Sequence, residues 1–522
     1  MPGVWGRRLL VAVVVAAVLF AAFAAAAFFW SGATLSGDPV ALARLKLQPL
    51  AGSVRSLHAV GPAGSPVPLR DVHGRLTPTA KVEPGEHIRV DVVIRRSRWI
   101  GWLAGRTRHE TLTVTAPVTS VVDRWPSLSP DGTLAVRFTT TPAAVLVGGK
   151  PHSAASRTVS LGKQPATGTI RIAAAARPWE RPGAPVRVSW FPKTPAPAVQ
   201  ISPAPSAQIS ALAQIRLTFA QPVGSARPHF TRSVPGHWSL ADSHTLVFHP
   251  GSLGFGLGTD LELRFPDRVT LVGSGATRTQ RSFDWTVASG SLLRLYQLLA
   301  QEAYLPVVWN PTGADVPHTP AAEIKAAIDP PQGTFSWRFP NTPSQLTTQW
   351  NPTTVTQIER GAVMQFEHEH NLTVDAIAGP QVWRALIADA IAGKRHSGGY
   401  SYVYVHTSLP QLMTLWHDGK VILTSPGNTG IPAAPTAPGT FPVFEHIPVG
   451  EMKGTNPDGS HYDDKGIRWI SYFHGGEALH SFNRASFGTP QSLGCVELPL
   501  AAAAEVWPYT PIGTLVTIEN PS

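Results

Sequence analysis

The chain holds one cysteine, Cys495, in a glycine-containing stretch that begins at Ser492. A single thiol cannot form a disulfide within its own chain, so in an exported protein it either pairs with another molecule or does chemistry. His480 precedes it and is a candidate base for a thiol whose free pKa is about 8.5. Many free cysteines are simply small buried hydrophobic residues, so a structural role stays open on these two residues alone. The chemistry they suggest is nucleophilic attack by a thiolate, with a thiol pKa below the free value.

The residues around Cys495 and His480 suit such a site. Gly494 lets the backbone approach a substrate closely, and the N–H groups of Gly494 and Cys495 are candidate donors to an oxyanion. Ser492 is expected to shape this turn. His474 is a second candidate base, although Gly475 and Gly476 directly after it indicate a turn. The sequence around the thiol therefore predicts a loop that presents a nucleophile.

Residues 398–520 resemble the YkuD-type catalytic domain of L,D-transpeptidases. The matching features are Ala478-Leu479-His480, Phe487-Gly488, Pro490, Ser492-x-Gly494-Cys495-Val496, the closing residues 512–518, and the segments 428–430 and 435–441 that precede the substrate cleft in the family. The chain departs from the family pattern at three positions. Leu493 stands where the family usually has histidine, Glu497 where it often has arginine, and Ser481 where it normally has a small residue, usually glycine.

The resemblance implies an enzyme that cross-links peptidoglycan stem peptides in cell-wall biogenesis and the maintenance of cell shape. The Cys495 thiolate would attack the carbonyl before the terminal D-residue of a donor tetrapeptide and form a thioester, with His480 moving the protons. The family alignment favours His480 over His474 as this base. The resemblance implies no metal and no organic cofactor, and it makes carbapenems candidate inhibitors. Candidate substrate contacts are Tyr472, Gly475, Gly476, Ser481 and Arg484.

Two other functions stay open. An L,D-carboxypeptidase of the same fold would use water in place of the acceptor amine, and sequence does not separate it from a transpeptidase. A catalytically inactive wall-binding protein is the other alternative, with Leu493 and Glu497 as signs of decay. The retention of both Cys495 and His480 argues against it.

The composition of the chain limits which classes of binding partner are expected. The net charge of +10 favours an anionic partner such as a phospholipid surface or an acidic wall polymer. The chain has no dense lysine and arginine run and no RNA-binding aromatic signature, so nucleic acid is not expected. Four histidines of the second β region lack metal-ligand spacing and are expected on solvated strands: His229, His237, His244 and His249. The enzyme is expected to be a monomer.

The N-terminus predicts a membrane anchor. Arg7 and Arg8 precede an apolar run, residues 9–30, that contains no charge and is long enough to cross about 30 Å of hydrocarbon. A cleaved signal peptide is the alternative, since residues 24–27 imitate a cleavage site. With the arginines in the cytoplasm, a single-pass protein would place its C-terminal domains outside, facing the cell wall.

The rest of the chain is expected to be mainly β. With 50 prolines and 46 glycines, short strands joined by turns are favoured. Alternating runs near residues 87–94, 110–114, 134–138, 168–172 and 186–190 predict a β-sandwich, and a short helix is expected near residues 39–47. The proline-rich residues 192–205 mark a linker. The next set of strands resembles bacterial immunoglobulin-like modules.

Helical periodicity follows, with helices near residues 292–303, 356–366 and 382–391. They resemble the three-helix peptidoglycan-binding repeat, with Ala376 in place of the expected glycine and about 45 inserted residues (307–351). A packing role without ligand binding stays open. The predicted domains are a cytoplasmic tip and anchor (1–35), a stalk and first β-sandwich (36–195), a second Ig-like β domain (196–288), a helical peptidoglycan-binding-like domain (289–393) and a YkuD-like catalytic domain (394–522).

Overall fold

The computed structural model describes residues 4–273 and 277–519. Helix α1 spans Val4–Trp30. Its Arg7–Trp30 segment of 24 residues is the one helix in the described ranges that is apolar and long enough to cross a membrane. At 1.5 Å per residue it measures about 36 Å, more than the hydrocarbon thickness. A signal sequence would meet the same criterion, so the anchor stays a prediction.

The chain divides into two compact units. The first comprises Met1–Gln200 with two short later pieces, Thr218–Val223 and Arg268–Thr279. The second comprises Ile201–Leu217, Gly224–Asp267 and Gln280–Ser522, and it carries Cys495. The finer domain boundaries expected from sequence stay predictions.

The first unit is built from strands with one helical insertion. The elements are β1 (Ala33–Gly37), β2 (Ala43–Leu47), β3 (Ser53–Val60), β4 (Leu69–Val72), β5 (Arg75–Pro78), β6 (His87–Arg95), α2 (Arg98–Ala104), β7 (Thr107–Thr115), β8 (Thr133–Arg137), β9 (Ala144–Val147), β10 (Lys150–His152), β11 (Thr158–Lys163), β12 (Gly168–Ala175) and β13 (Val186–Trp190). Strand β14 (Ala198–Ser202) follows and contains the boundary between the units at Gln200. The prediction of a short helix at residues 39–47 is wrong, because residues 43–47 form strand β2. In that strand Ala43 and Leu45 are buried while Arg44 between them is exposed, which is the two-residue period of a strand.

Two hydrophobic clusters organise these strands. One lies between the sheets β1-β2-β5-β4 and β3-β6-β7, and the other between β10-β9-β12-β13 and β11-β8. Strand β6 shows why the pattern folds this way. Ile88 and Val90 are buried while Arg89 points outward, as the two-residue period of a strand requires.

A second β region follows in the chain. Its strands are β15 (Gln208–Ile209), β16 (Ile215–Phe219), β17 (His229–Phe230), β18 (Gly236–Asp242), β19 (Thr245–Pro250), β20 (Asp260–Leu271) and β21 (Arg278–Val287). Strands β18 and β19 form a hairpin, β17 pairs with β20, and β15 runs parallel to β21. The likeness to immunoglobulin-like modules stays a prediction.

Helices dominate the following region. The elements are α3 (Leu292–Gln301), β22 (Val307–Pro311), α4 (Pro320–Ile328), β23 (Gly333–Trp337), α5 (Ser344–Thr347), α6 (Gln357–Glu369) and α7 (Pro380–Ala392). Helices α3, α6 and α7 lie where sequence placed three helices. The Thr356 hydroxyl caps α6 by accepting from the Glu359 N–H at 3.3 Å. Ala376 stands where the peptidoglycan-binding repeat is expected to have glycine. Its φ of 60° is a left-handed backbone conformation that glycine adopts most easily.

The insertion between α3 and α6 is ordered. It forms the antiparallel strand pair β22–β23, with helix α4 in the connection between the two strands, and then the short helix α5. Helix α6 packs against the last region, and a Cβ added at Gly361 would lie 2.4 Å from the Gly513 oxygen. The helical region therefore supports the region that carries Cys495.

The last region contains two sheets and a short helix. The elements are β24 (Ser401–His406), β25 (Leu412–His417), β26 (Lys420–Pro426), β27 (Gly439–Pro442), β28 (Glu445–Thr455), β29 (His461–His474), β30 (Glu477–Ser481), β31 (Val496–Leu498), α8 (Leu500–Val506) and β32 (Leu515–Glu519). The sheets run β26-β25-β24-β32-β27 and β28-β29-β30-β31. A cluster of buried aliphatic side chains that includes Val403, Leu479 and Val496 joins them.

Candidate active site

Two parallel strands bring the candidate catalytic residues together. His480 lies on β30 and Cys495 lies directly before β31, with Leu479 opposite Val496 and His480 opposite Glu497. Leu479 and Val496 are buried in the core. Because side chains alternate along a strand, the neighbouring Cys495, His480 and Glu497 face away from that core. All three line one cleft.

The cleft has a volume of about 530 Å³. One side is formed by the β30–β31 pair and the turn before Cys495. The β28–β29 hairpin forms the other side. The hairpin and its connecting loop contribute Met452, Asn456, Pro457, Asp458, Tyr462 and Asp464 to the lining.

His480 is buried, and its tautomer is fixed by the backbone. Its Nδ1 lies 2.9 Å from the Ser481 carbonyl oxygen, which can only accept a hydrogen bond. The neutral ring therefore carries its proton on Nδ1 and leaves a lone pair on Nε2. Burial lowers the pKa of His480, which keeps the ring neutral at pH 7. A neutral imidazole with a free lone pair is suited to act as a base.

The Cys495 thiol is half-buried and protonated in this structure. Burial is the main reason that its pKa is raised to about 11, and the charges of Glu497 and Glu477 add to the shift. The Ala478 N–H opposes it by hydrogen bonding to the sulfur. Sγ also lies 3.7 Å from the Gly476 carbonyl oxygen, to which the thiol donates. The expectation of a lowered thiol pKa is therefore wrong for this state, because two carboxylates and burial outweigh one N–H.

Ser492 closes the turn before Cys495. Its hydroxyl donates to the Cys495 carbonyl oxygen at 2.6 Å and accepts from the Gly494 N–H at 3.2 Å. The Gly494 N–H is thus already engaged and is not a free donor for an oxyanion. Gly494 has a φ of 114°, and a Cβ there would lie 3.2 Å from Glu477. Glycine is required at this position by both backbone angle and space.

Arg484 and Glu497 form a bidentate ion pair in the cleft that Cys495 and His480 also line. Arg484 Nη2 lies 2.6 Å from Glu497 Oε1, and Nε lies 2.8 Å from Oε2. Arg484 also donates to the Gln491 carbonyl oxygen and lies over the Phe482 ring. The chain thus brings a guanidinium to the cleft although Glu497 occupies the position where the family often has arginine.

The other predicted substrate contacts lie in different environments. Gly476 lines the cleft, whereas Gly475 is in the open β29–β30 turn. Burial is the main reason that the pKa of Tyr472 is raised, and the negative charge of a Cys495 thiolate adds to the shift. The Ser481 hydroxyl donates to the Arg468 carbonyl oxygen and faces an adjacent cavity. Of the five, Gly476 and Arg484 line the cleft itself.

The β28–β29 hairpin was missed in the sequence. Its residues Met452, Tyr462 and Asp464 line the cleft opposite Cys495. A recognisable signal was present, because Pro457-Asp458-Gly459 is a turn sequence between alternating runs. Within the described part of the chain, no three His, Cys, Asp or Glu side chains are grouped so that they could hold a metal ion.

Residues 400–518 match the YkuD family, the L,D-transpeptidase catalytic domain. Among solved structures, LD transpeptidase LdtMt1 in complex with imipenem is similar at 13% identity and TM-score 0.21, covering 62% of this chain and 100% of its own. An L,D-transpeptidase from Mycobacterium smegmatis is similar at 13% identity and TM-score 0.22, covering 63% and 100%. The catalytic domain of the E. faecium L,D-transpeptidase has 26% identity and TM-score 0.21, covering 23% and 96%. No curated protein matches the chain.

Proposed function

Because residues 400–518 form a YkuD-type L,D-transpeptidase catalytic domain, we propose that the protein is a cysteine-dependent L,D-transpeptidase that cross-links peptidoglycan stem peptides. The observation that carries the proposal is the convergence of Cys495 and His480 from adjacent parallel strands on one cleft. The free Nε2 of His480 supports its role as the base. The enzyme would be anchored by α1, with its catalytic domain outside the membrane facing the cell wall.

The first half-reaction would acylate the thiol. His480 Nε2 takes the proton from Cys495 Sγ as the sulfur attacks the donor carbonyl, which avoids a free thiolate in a site that raises the thiol pKa. The C–N bond to the terminal D-residue breaks, and His480 returns the proton to the leaving amine. The product is a thioester that retains the energy of the broken peptide bond.

The second half-reaction would transfer the acyl group. An acceptor amine attacks the thioester carbonyl and loses a proton to His480. The C–S bond breaks, and the sulfur recovers that proton as a thiol. The Ala478 N–H supports the departing thiolate. These steps need neither a metal nor an organic cofactor.

Oxyanion stabilisation would fall to the Cys495 N–H. The Gly494 N–H is held by the Ser492 hydroxyl, and this bond fixes the turn that presents the next N–H. One well-placed donor of this kind is worth about 100-fold or more in rate. The role of Ser492 would therefore be to position the turn.

Product analysis tests the proposal. The full chain in detergent is incubated with purified disaccharide-tetrapeptides and the products are analysed by mass spectrometry. Cross-linked dimers with release of the terminal D-residue are expected, and Cys495→Ala should form none. Tripeptides without dimers would assign an L,D-carboxypeptidase, and unchanged substrate would favour an inactive wall-binding protein.

A further inference from the structure

A second cavity, of about 370 Å³, lies in the helical region. Helix α3, strand β22 and the segment after α7 contribute residues to its wall. None of its lining residues lines the Cys495 cleft. It is therefore a separate candidate site.

Glu302 is the unusual residue of this cavity. It is 2% exposed, lines the cavity, and neither of its carboxyl oxygens has a hydrogen-bond partner among the described residues. The nearby Arg294 is occupied, because its Nη2 lies 2.6 Å from Glu323 Oε2 and its Nη1 lies 3.1 Å from Gln297 Oε1. Burial raises the pKa of Glu302 to about 9, so at pH 7 it is a neutral carboxyl with one O–H donor.

Two arginines, Arg338 and Arg395, line the same cavity, and the charge of Asp418, which lies outside the lining, acts on Arg338 in the direction opposite to that of Arg395. Arg338 lines it, and the buried Nη2 of this guanidinium has no partner in the described part of the chain. The exposed Arg395 also lines it and is close enough to lower the Arg338 pKa, after the larger effect of burial. Lys394 is paired with Asp389 at 2.9 Å, and the acidic Asp315 is exposed.

We propose that this cavity binds a carboxylate-bearing ligand. Its two oxygens would accept one hydrogen bond from the protonated Glu302 and another from Arg338 Nη2, with Arg395 adding positive charge. A carboxylate fits because it supplies two coplanar acceptors and one negative charge, which a guanidinium recognises well. The carboxyl end of a short peptide and a sugar acid both offer this chemistry.

Calorimetry on the full chain in detergent tests the cavity. The probes are D-alanyl-D-alanine, N-acetylmuramic acid and acetate, and the probe that saturates identifies the source of the carboxylate. Arg338→Met and Arg395→Gln should each raise Kd about tenfold, the usual effect of losing a charge-assisted contact. Arg395 is exposed, so its variant is expected to fold even where Arg338→Met does not.

Two controls separate this site from others. Arg360→Met removes an exposed arginine of α6 outside the cavity and should leave Kd unchanged. Cys495→Ala should also leave it unchanged, so the outcome does not depend on catalysis. The proposal fails if no probe gives saturable heat, which is the result expected of a cavity that holds only water. It also fails if Arg395→Gln binds the probe as tightly as the wild type does.

A second inference concerns helix α2, at the tip of the β6–β7 hairpin beside the end of α1. Trp99 is 53% exposed and Trp102 is 72% exposed. The Trp99 ring lies 6.3 Å from that of Phe23 in α1. Arg108 Nη1 donates to the Phe28 carbonyl oxygen at 2.8 Å. Exposed tryptophans thus adjoin the end of the apolar helix.

Arginines surround these tryptophans. Arg98 is exposed at the start of α2, and Arg95 and Arg106 are exposed before and after the helix. Tryptophan favours the headgroup level of a bilayer, and each basic residue near an anionic lipid surface adds electrostatic attraction. We infer that α2 lies in the phospholipid interface where α1 emerges, with Trp99 and Trp102 at the acyl boundary. This inference rests on α1 crossing the membrane.

The single native thiol allows a direct test. In a Cys495→Ala background, Trp102→Cys is labelled with an environment-sensitive fluorophore and the full chain is placed in vesicles containing phosphatidylglycerol. Lipid-attached quenchers near the headgroups should quench the label, and aqueous iodide should not. Val122→Cys, at a side chain 45% exposed in the same unit, is the matched control. Aqueous iodide should quench its label, and the lipid-attached quenchers should not. Iodide quenching at position 102 without lipid quenching would overturn the inference.

Discussion

Arg484 holds Glu497 through two short contacts, 2.6 and 2.8 Å, while the carboxylate side chain is only 5% exposed. The pair spans the cleft floor between β31 and the loop after β30. Asn428 also donates to Glu497 Oε2 at 3.4 Å, and its Oδ1 accepts from the Gly488 N–H at 3.0 Å. Glu497 thus links, directly or through Asn428, the segments that carry Arg484, Asn428 and Gly488 around Cys495.

Breaking this pair from one side should destabilise the catalytic domain. Arg484→Met leaves the Glu497 carboxylate buried without a counter-ion. The loss of folding free energy should be about 3 kcal/mol or somewhat less, because Arg484 is itself partly exposed. Thermal unfolding should show a lower Tm for Arg484→Met than for Arg468→Met, which removes an exposed arginine of β29. The double variant Arg484→Met/Glu497→Leu should recover most of the loss. Equal Tm values for the two single variants would contradict the pair's importance.

His480 and His474 should differ sharply as bases. His480 lines the cleft with Nε2 free, whereas His474 is largely exposed and pairs with Glu477 at 3.4 Å. His480→Ala should lower kcat by about 100-fold or more, the usual contribution of a general base. His474→Ala should keep a measurable fraction of activity. The reverse ranking would reassign the base.

Alkylation should report the raised pKa of Cys495. With a pKa near 11, the iodoacetamide rate should still rise with pH between pH 8 and 10, where an ordinary thiol approaches its plateau. Glu477→Gln removes a neighbouring negative charge that raises this pKa, so it should speed alkylation at pH 8. Asp463→Asn, an exposed acid of β29, is the control. A wild-type plateau below pH 8 would show an activated thiolate instead.

Glu302 should make stability depend on pH. Its pKa is raised from 4.5 to about 9 in the fold, so its contribution is complete below pH 4.5 and is lost as pH rises toward 9. The slope is at most about 1.4 kcal/mol per pH unit. Glu302→Gln keeps the shape without the titration. Its Tm advantage over wild type should grow from pH 5 to pH 8, and a constant difference would contradict the raised pKa.

The candidate catalytic pair, Cys495 and His480, could be proposed from sequence because its signals are local. A lone cysteine after glycine, a histidine on an alternating strand and a serine at the turn are all visible in sequence. The domain identity follows from the same motif and is confirmed over residues 400–518. The pairing of β30 with β31 then places Cys495 and His480 on one face.

Other features depend on contacts distant in sequence. Burial is the main cause of the raised thiol pKa, the charges of Glu497 and Glu477 add to it, and neither the burial nor the approach of Glu477 is visible in the spacing. The partner of Glu497 is Arg484, and the two meet only because the β30–β31 pair brings their segments together. The insertion between α3 and α6 was given no secondary structure from sequence, since prolines mask the short strands β22 and β23. These strands pair across the intervening helix α4, a contact that tertiary packing stabilises.

Gly494→Ala should distinguish the contribution of the turn conformation from that of the Cys495 and His480 side chains. The added Cβ would lie 3.2 Å from Glu477 at a φ of 114°, so the turn must shift and carry the Cys495 N–H with it. We expect acylation by a carbapenem, followed as a mass increase on the intact protein, to slow at least tenfold while Tm falls only slightly. Gly466→Ala tests backbone strain alone, because Gly466 has a φ of 72° with nothing within 4 Å of an added Cβ. That control should be acylated at the wild-type rate. Wild-type acylation of Gly494→Ala would show that the turn tolerates the shift and that the oxyanion donor lies elsewhere.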